Sequence, residues 1–98
     1  MARRYVDELR ISAGAEDELA AHGVAAEEVL EVSWDDPAFF RDKVVLRELM
    51  IGRSIGGRLL TIVVQPTRTP GVWDVVTGWD SGSWEQTAWQ RARPRNLR

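Results

Sequence analysis

Cysteine is absent from this 98-residue chain, and lysine, histidine and tyrosine each occur once. Without thiols there is neither a disulfide framework nor a thiolate zinc site, and a reducing cytoplasm is the expected compartment. A single His leaves any zinc to carboxylates almost alone and rules out paired imidazoles one helical turn apart. There is no Gly-rich phosphate loop followed by Lys and no Gly-x-Ser-x-Gly elbow, so nucleotide-binding and serine-hydrolase signatures are missing too. No metal and no cofactor is expected. Long apolar runs are also lacking: the longest is Leu59 and Leu60, then Ile62 to Val64 across one Thr. A membrane helix needs roughly 20 apolar residues, so no membrane partner is expected. Met1-Ala2-Arg3-Arg4 leads into Tyr5, Val6, Asp7 and Glu8 rather than the apolar stretch of a secretory signal.

What is present is the composition of one small domain spanning residues 1–98, with 44% hydrophobic and 29% charged residues. Its ordered core is expected over about residues 4–92, with a flexible tail over 93–98. The net charge of −2 hides an asymmetry: residues 1–50 hold 12 acids against 6 bases, residues 51–98 only 3 acids against 7 bases. A basic second half suggests contact with a polyanion, although drift around neutrality gives the same count.

Patterning predicts a strand over Arg4–Ser12, a break at Gly14 and a helix over Ala15–His22, stopped by His22-Gly23. A second helix follows over Ala25–Val32 with Val29 and Val32 on one face, then a turn at Asp35-Asp36-Pro37. Val44–Arg53 and Arg58–Gln65 read as strands joined by a hairpin turn at Ser54–Gly57. Pro66–Gly71 is a loop, and Val72–Trp79 a third meander strand with Trp73, Val75, Thr77 and Trp79 on one face. Ser83 is placed to cap a closing helix that ends near Ala92. The order β-α-α-β-β-β-α defines an α+β fold, a small antiparallel sheet with helices packed on one face.

Several residues carry potential chemistry, each with a plainer role beside it. His22 is the natural acid–base candidate, or simply a partner for a helix C-terminus. The five tryptophans suit either a helix–sheet core or an exposed platform for a base or protein; in the core reading, Trp73 and one of Trp84 and Trp89 lie between the closing helix and the sheet. Arg47 and Arg53, an even number apart on one predicted strand, share a face and could clamp a phosphate or simply be solvated.

His22-Gly23-Val24 followed by Glu27-Glu28, then Asp36-Pro37, Arg47, Ile51-Gly52-Arg53-Ser54 and Gly57-Arg58-Leu59-Leu60, occur in an order that resembles BrnT-type toxins. These belong to the RelE-like superfamily of bacterial toxin–antitoxin ribonucleases, and the resemblance spans about residues 15–90. It implies a RelE/BrnT-like fold, metal-independent RNA cleavage, and neutralisation by a small antitoxin that dimerises and binds operator DNA. RNA, on or off the ribosome, would be the substrate, and DNA would be contacted only through the antitoxin. On this resemblance Arg47 and Arg53 would stabilise the charged transition state, His22 or Glu85 would transfer protons, and Arg58 and Arg91 would hold RNA phosphates. The family's Lys before the His is Ala21 here, and its Ser-Ala-Arg segment is Thr77-Gly78-Trp79. Losing two cations raises the alternative of a toxin-fold protein without catalysis, acting as a protein- or nucleic-acid-binding module.

Overall fold

The structure, a computed structural model, describes residues 5–42 and 45–92. Along the chain run β1 (Glu8–Arg10), α1 (Ala13–Ala21), α2 (Ala26–Trp34), β2 (Ala38–Arg41), β3 (Glu48–Arg53), β4 (Leu59–Pro66), β5 (Val72–Asp80) and α3 (Ser83–Ala92). The sheet order is β1-β5-β4-β3-β2. The predicted antiparallel meander is β3–β5. Two additions enlarge it. β2 pairs antiparallel with β3 through only four residues, Ala-Phe-Phe-Arg, too short a run to show alternation. β1 pairs parallel with β5, Glu8 to Arg10 against Val72 to Asp74, so the five-stranded sheet is mixed rather than purely antiparallel. The predicted beginnings at Arg4 and Val44, and the tail 93–98, lie outside the described residues.

Local chemistry sets the helix ends. Ser12 caps α1 by accepting the Ala15 N–H at 3.1 Å, so the helix starts before Gly14 instead of after it. At its other end Gly23 adopts φ +72°, its N–H donates to Ala20 O and that of Val24 to Leu19 O. This is the Schellman arrangement, which places glycine where a side chain would be strained and drops Val24 into the core. In α2, the Glu28 carboxylate accepts the Ala25 N–H at 3.0 Å. α3 begins differently from expectation. Gly82, not Ser83, holds the cap position, since its carbonyl accepts the Gln86 N–H and its own N–H donates to Glu85 Oε1 at 2.6 Å.

α1 and α2 pack together on one side of the sheet, where Leu19, Val24, Val29 and Val32 meet Met50, Leu60, Ile62, Val64, Trp73 and Val75. The approach is close at Gly52, where a Cβ would stand 3.2 Å from Val32 Cγ1 and from Pro37 Cβ. Strand alternation therefore turns Ile51 and Arg53 to the opposite side. There α3 crosses, with Trp89 buried and the Arg53 guanidinium 5.0 Å from its ring centroid.

One irregularity redirects β5. Val63 pairs with Thr77 but Val64 with Val75, so Val76 is an extra residue. Such a bulge reverses the alternation beyond it. Trp73 and Val75 enter the core with α1 and α2, and Gly78 does too, its missing Cβ leaving room for Leu19. Thr77 and Trp79 thus point to the other face, and the predicted single face of four residues does not exist. Trp73 is buried, but against Phe39 at 5.6 Å rather than beneath the closing helix, where Trp89 is buried and Trp84 stays exposed.

Candidate functional site

The residues the sequence nominates are dispersed. Arg47 precedes β3, in a bend where its N–H donates to Val45 O and its carbonyl accepts the Asp42 N–H. Arg53 ends the same strand. β3 is about 17 Å long at roughly 3.3 Å per residue, and strand side chains stand nearly perpendicular to it. Arg47 lies outside the strand, one residue before it, and Arg53 rests over Trp89. Arg91 is exposed in the last turn of α3, where a cation complements the helix dipole.

Arg58 is fully engaged. Its Nη1 donates to both Glu28 carboxylate oxygens at 2.9 Å and to Gly23 O at 3.1 Å, while Nε and Nη2 donate to Asp80 Oδ1 at 3.2 and 3.0 Å. The hydrogen bond to Asp80 above all, with those to Glu28 added, raises its pKa above the ordinary guanidinium value. Arg58 thereby joins the end of α1, the start of α2 and the end of β5 to the start of β4. A phosphate would have to displace two carboxylates.

His22 and Glu85 lie on either side of Trp79. The His22 ring meets the indole edge-on, centroids 6.4 Å apart, and its Nε2 is 3.9 Å from Glu18 Oε1. Glu85 is buried, and both of its oxygens accept the Trp79 Nε1–H at 3.2 Å. It is a cap for α3 and an anchor for Trp79 rather than an exposed proton donor. His22, Arg58 and Glu85 do share one end of the sheet, but Glu18, Glu28 and Asp80 stand beside the two bases with negative charge. That field repels a polyphosphate.

A different site stands out beside the hairpin. Glu31, Trp34 and Asp35 from the end of α2 face Arg53, Ser54, Ile55 and Gly57 across a groove of about 520 Å³. Trp34 is 70% exposed and Ile55 78%. The walls are fixed: Glu31 Oε1 accepts the Ile55 N–H at 3.0 Å, tying the turn to α2. The turn itself closes through Ser54 N–H to Arg58 O, Gly57 N–H to Ser54 O, and Arg58 N–H to Ser54 Oγ. Two signals for this groove were in the sequence. Trp34 lies off the Val29/Val32 stripe, and Ile55 occupies a turn position that polar residues usually fill.

Among the described residues no cluster of His, Cys, Asp or Glu could hold a metal ion, and no helix is long and apolar enough to cross a membrane. In comparisons with models of known protein families and with curated proteins, the chain matches none.

Proposed function

We propose that this chain is a binding module with a toxin-like α+β fold, which seats a partner polypeptide in the groove between α2 and the β3–β4 hairpin. The observation that carries this reading is the pair Trp34 and Ile55, two large apolar side chains exposed at one groove. Single exposed apolar residues are ordinary, whereas a paired set beside a concavity suits recognition, and Trp is prominent among interface anchors. The cysteine-free composition fits work in the cytoplasm.

Catalysis has less to rest on. A transition-state donor contributes about 3 kcal/mol when it is free to face the reacting group. Arg58 is paired with two carboxylates, and Arg47 lies outside β3. An antitoxin-neutralised ribonuclease of the BrnT type is the second reading, favoured by His22 and Glu85 both touching Trp79, with Arg58 bonded to the Gly23 carbonyl beside His22.

Selection from a random peptide library on the purified chain, counter-screened with Trp34→Ala/Ile55→Ala, tests the first reading. Enriched peptides that bind only the parent support it. A library that yields none, or metal-free RNA cleavage abolished by His22→Ala, overturns it.

A further inference from the structure

We infer that the groove between α2 and the hairpin takes a cationic segment of a partner protein, one that carries Arg or Lys beside an apolar residue. This rests on the binding-module reading and adds the chemistry of the occupant.

The first argument is charge. Glu31 and Asp35 line the groove and Asp36 follows directly, while α2 holds Glu27, Glu28 and Glu31 with no basic residue in its last turn. A helix C-terminus bears about half a negative charge on its last carbonyls, normally complemented by Lys, Arg or His. Here Asp35 occupies the cap and adds to the negative charge. Among the described residues neither Asp35 nor Asp36 forms an ion pair. The cation that lines the groove, Arg53, rests over Trp89.

The second argument is shape and polarity. The exposed indole of Trp34 offers a face on which a guanidinium or ammonium can stack, an attraction of electrostatic origin that strengthens as water leaves. Ile55 offers an aliphatic contact for the neighbouring apolar residue or for the methylene stem of the cation.

Charge also excludes two other occupants. A symmetric contact between two copies would gather Glu31 and Asp35 of both into one interface, with Arg53, already over Trp89, to offset them. A nucleic acid would bring phosphates to the same acids.

The test uses the full ¹⁵N-labelled chain and three synthetic peptides of one pattern: Leu alternating with Arg, with Gln and with Glu. The Arg peptide is expected to shift the Ile55 and Gly57 amides and the Trp34 indole signal. Glu31→Gln with Asp35→Asn should weaken it about tenfold, and Trp34→Ala by at least as much. Gln at position 31 retains an oxygen for the Ile55 N–H, so an unchanged spectrum of the free variant certifies its fold. Equal or tighter groove binding by the Gln or Glu peptide overturns the cationic assignment while leaving the module intact. The same holds if the Arg peptide fails but neutral library peptides need Trp34. If no library peptide needs Trp34 either, the module reading itself fails. Binding that emerges only after Arg93, Arg95 and Arg98 are changed to Gln assigns the groove to this chain's own basic segment and overturns a partner.

Discussion

Two clusters lie on either side of the β3–β4 hairpin, only a few residues apart in sequence. At Arg58 each guanidinium nitrogen has an acceptor, and one side chain links four elements. At Trp34 and Ile55 the backbone is equally well fixed, but large apolar groups are left in water. The first cluster spends most of its chemistry on holding the fold, and its cation is already paired with two carboxylates. The second is rigid where it needs to be and unsatisfied where a partner can reach it. The residue type that suggests function, arginine, is here structural, and the types that suggest a core, Trp and Ile, are at the surface.

That contrast can be broken by measuring stability and binding side by side. The largest expected loss of stability sets the scale. Trp73→Ala removes a buried indole that packs on Phe39 and donates to Tyr5 O at 2.9 Å, and should cost about 3–5 kcal/mol in denaturant unfolding. A loss below about 1 kcal/mol would mean the α1–α2 side is not the principal core. Next, Glu85→Ala strands the Trp79 Nε1–H and the Gly82 N–H, a loss of about 2 kcal/mol, while Glu85→Gln keeps an acceptor and should lose less. Equal losses would show that charge, not hydrogen bonding, matters there.

Arg58→Ala comes third. Its side chain is 36% exposed, so solvent screening limits the loss to about 1 kcal/mol, diminishing with added salt. The folded state raises this guanidinium's pKa, so its contribution is complete below the unfolded value and is lost only as pH rises through the folded one. The deficit of Arg58→Ala should therefore be the same at about pH 7 as at about pH 9. A deficit that fades over that alkaline interval would contradict the clamp. Smallest of all, Trp34→Ala and Ile55→Ala should each change stability by less than about 0.5 kcal/mol. Were either to cost more than about 2 kcal/mol, the groove would be part of the fold's support and the contrast would collapse.

Much of the fold was legible where the signal is local. His22-Gly23 marks a helix end because only a few neighbouring backbone groups decide it, and the same is true of the Ser54–Gly57 turn. Val29 and Val32 are buried together as their spacing requires. What the pattern could not carry was set across the sheet. The extra residue at Val76 exists only relative to β4, and it alone moves Thr77 and Trp79 to the other face. β2 is too short to announce itself, and Glu28 and Asp80 meet Arg58 from 30 and 22 residues away. The candidate site was less legible still. Arg47 and Arg53 were paired by counting along a strand that begins one residue after Arg47.

The parallel pairing of β1 with β5 has a consequence for how the chain reaches this state. β2 to β5 are sequential antiparallel neighbours, so each can add to the last through a short loop. Glu8 must find Val72, 64 residues away, and the ladder it gains is three residues long, with Val6, Leu9 and Ile11 only partly buried beside it. Closing so long a loop carries an entropic penalty that few contacts offset, which slows and delays such pairings. β1 should therefore arrive after the meander has formed and leave before it opens, with the exposed Arg10–Asp74 bridge at 2.9 Å as its late fastening. In amide hydrogen exchange, the β1 protons should trade with solvent well ahead of those in β4, through partial opening that leaves both the Arg58 junction and the groove in place.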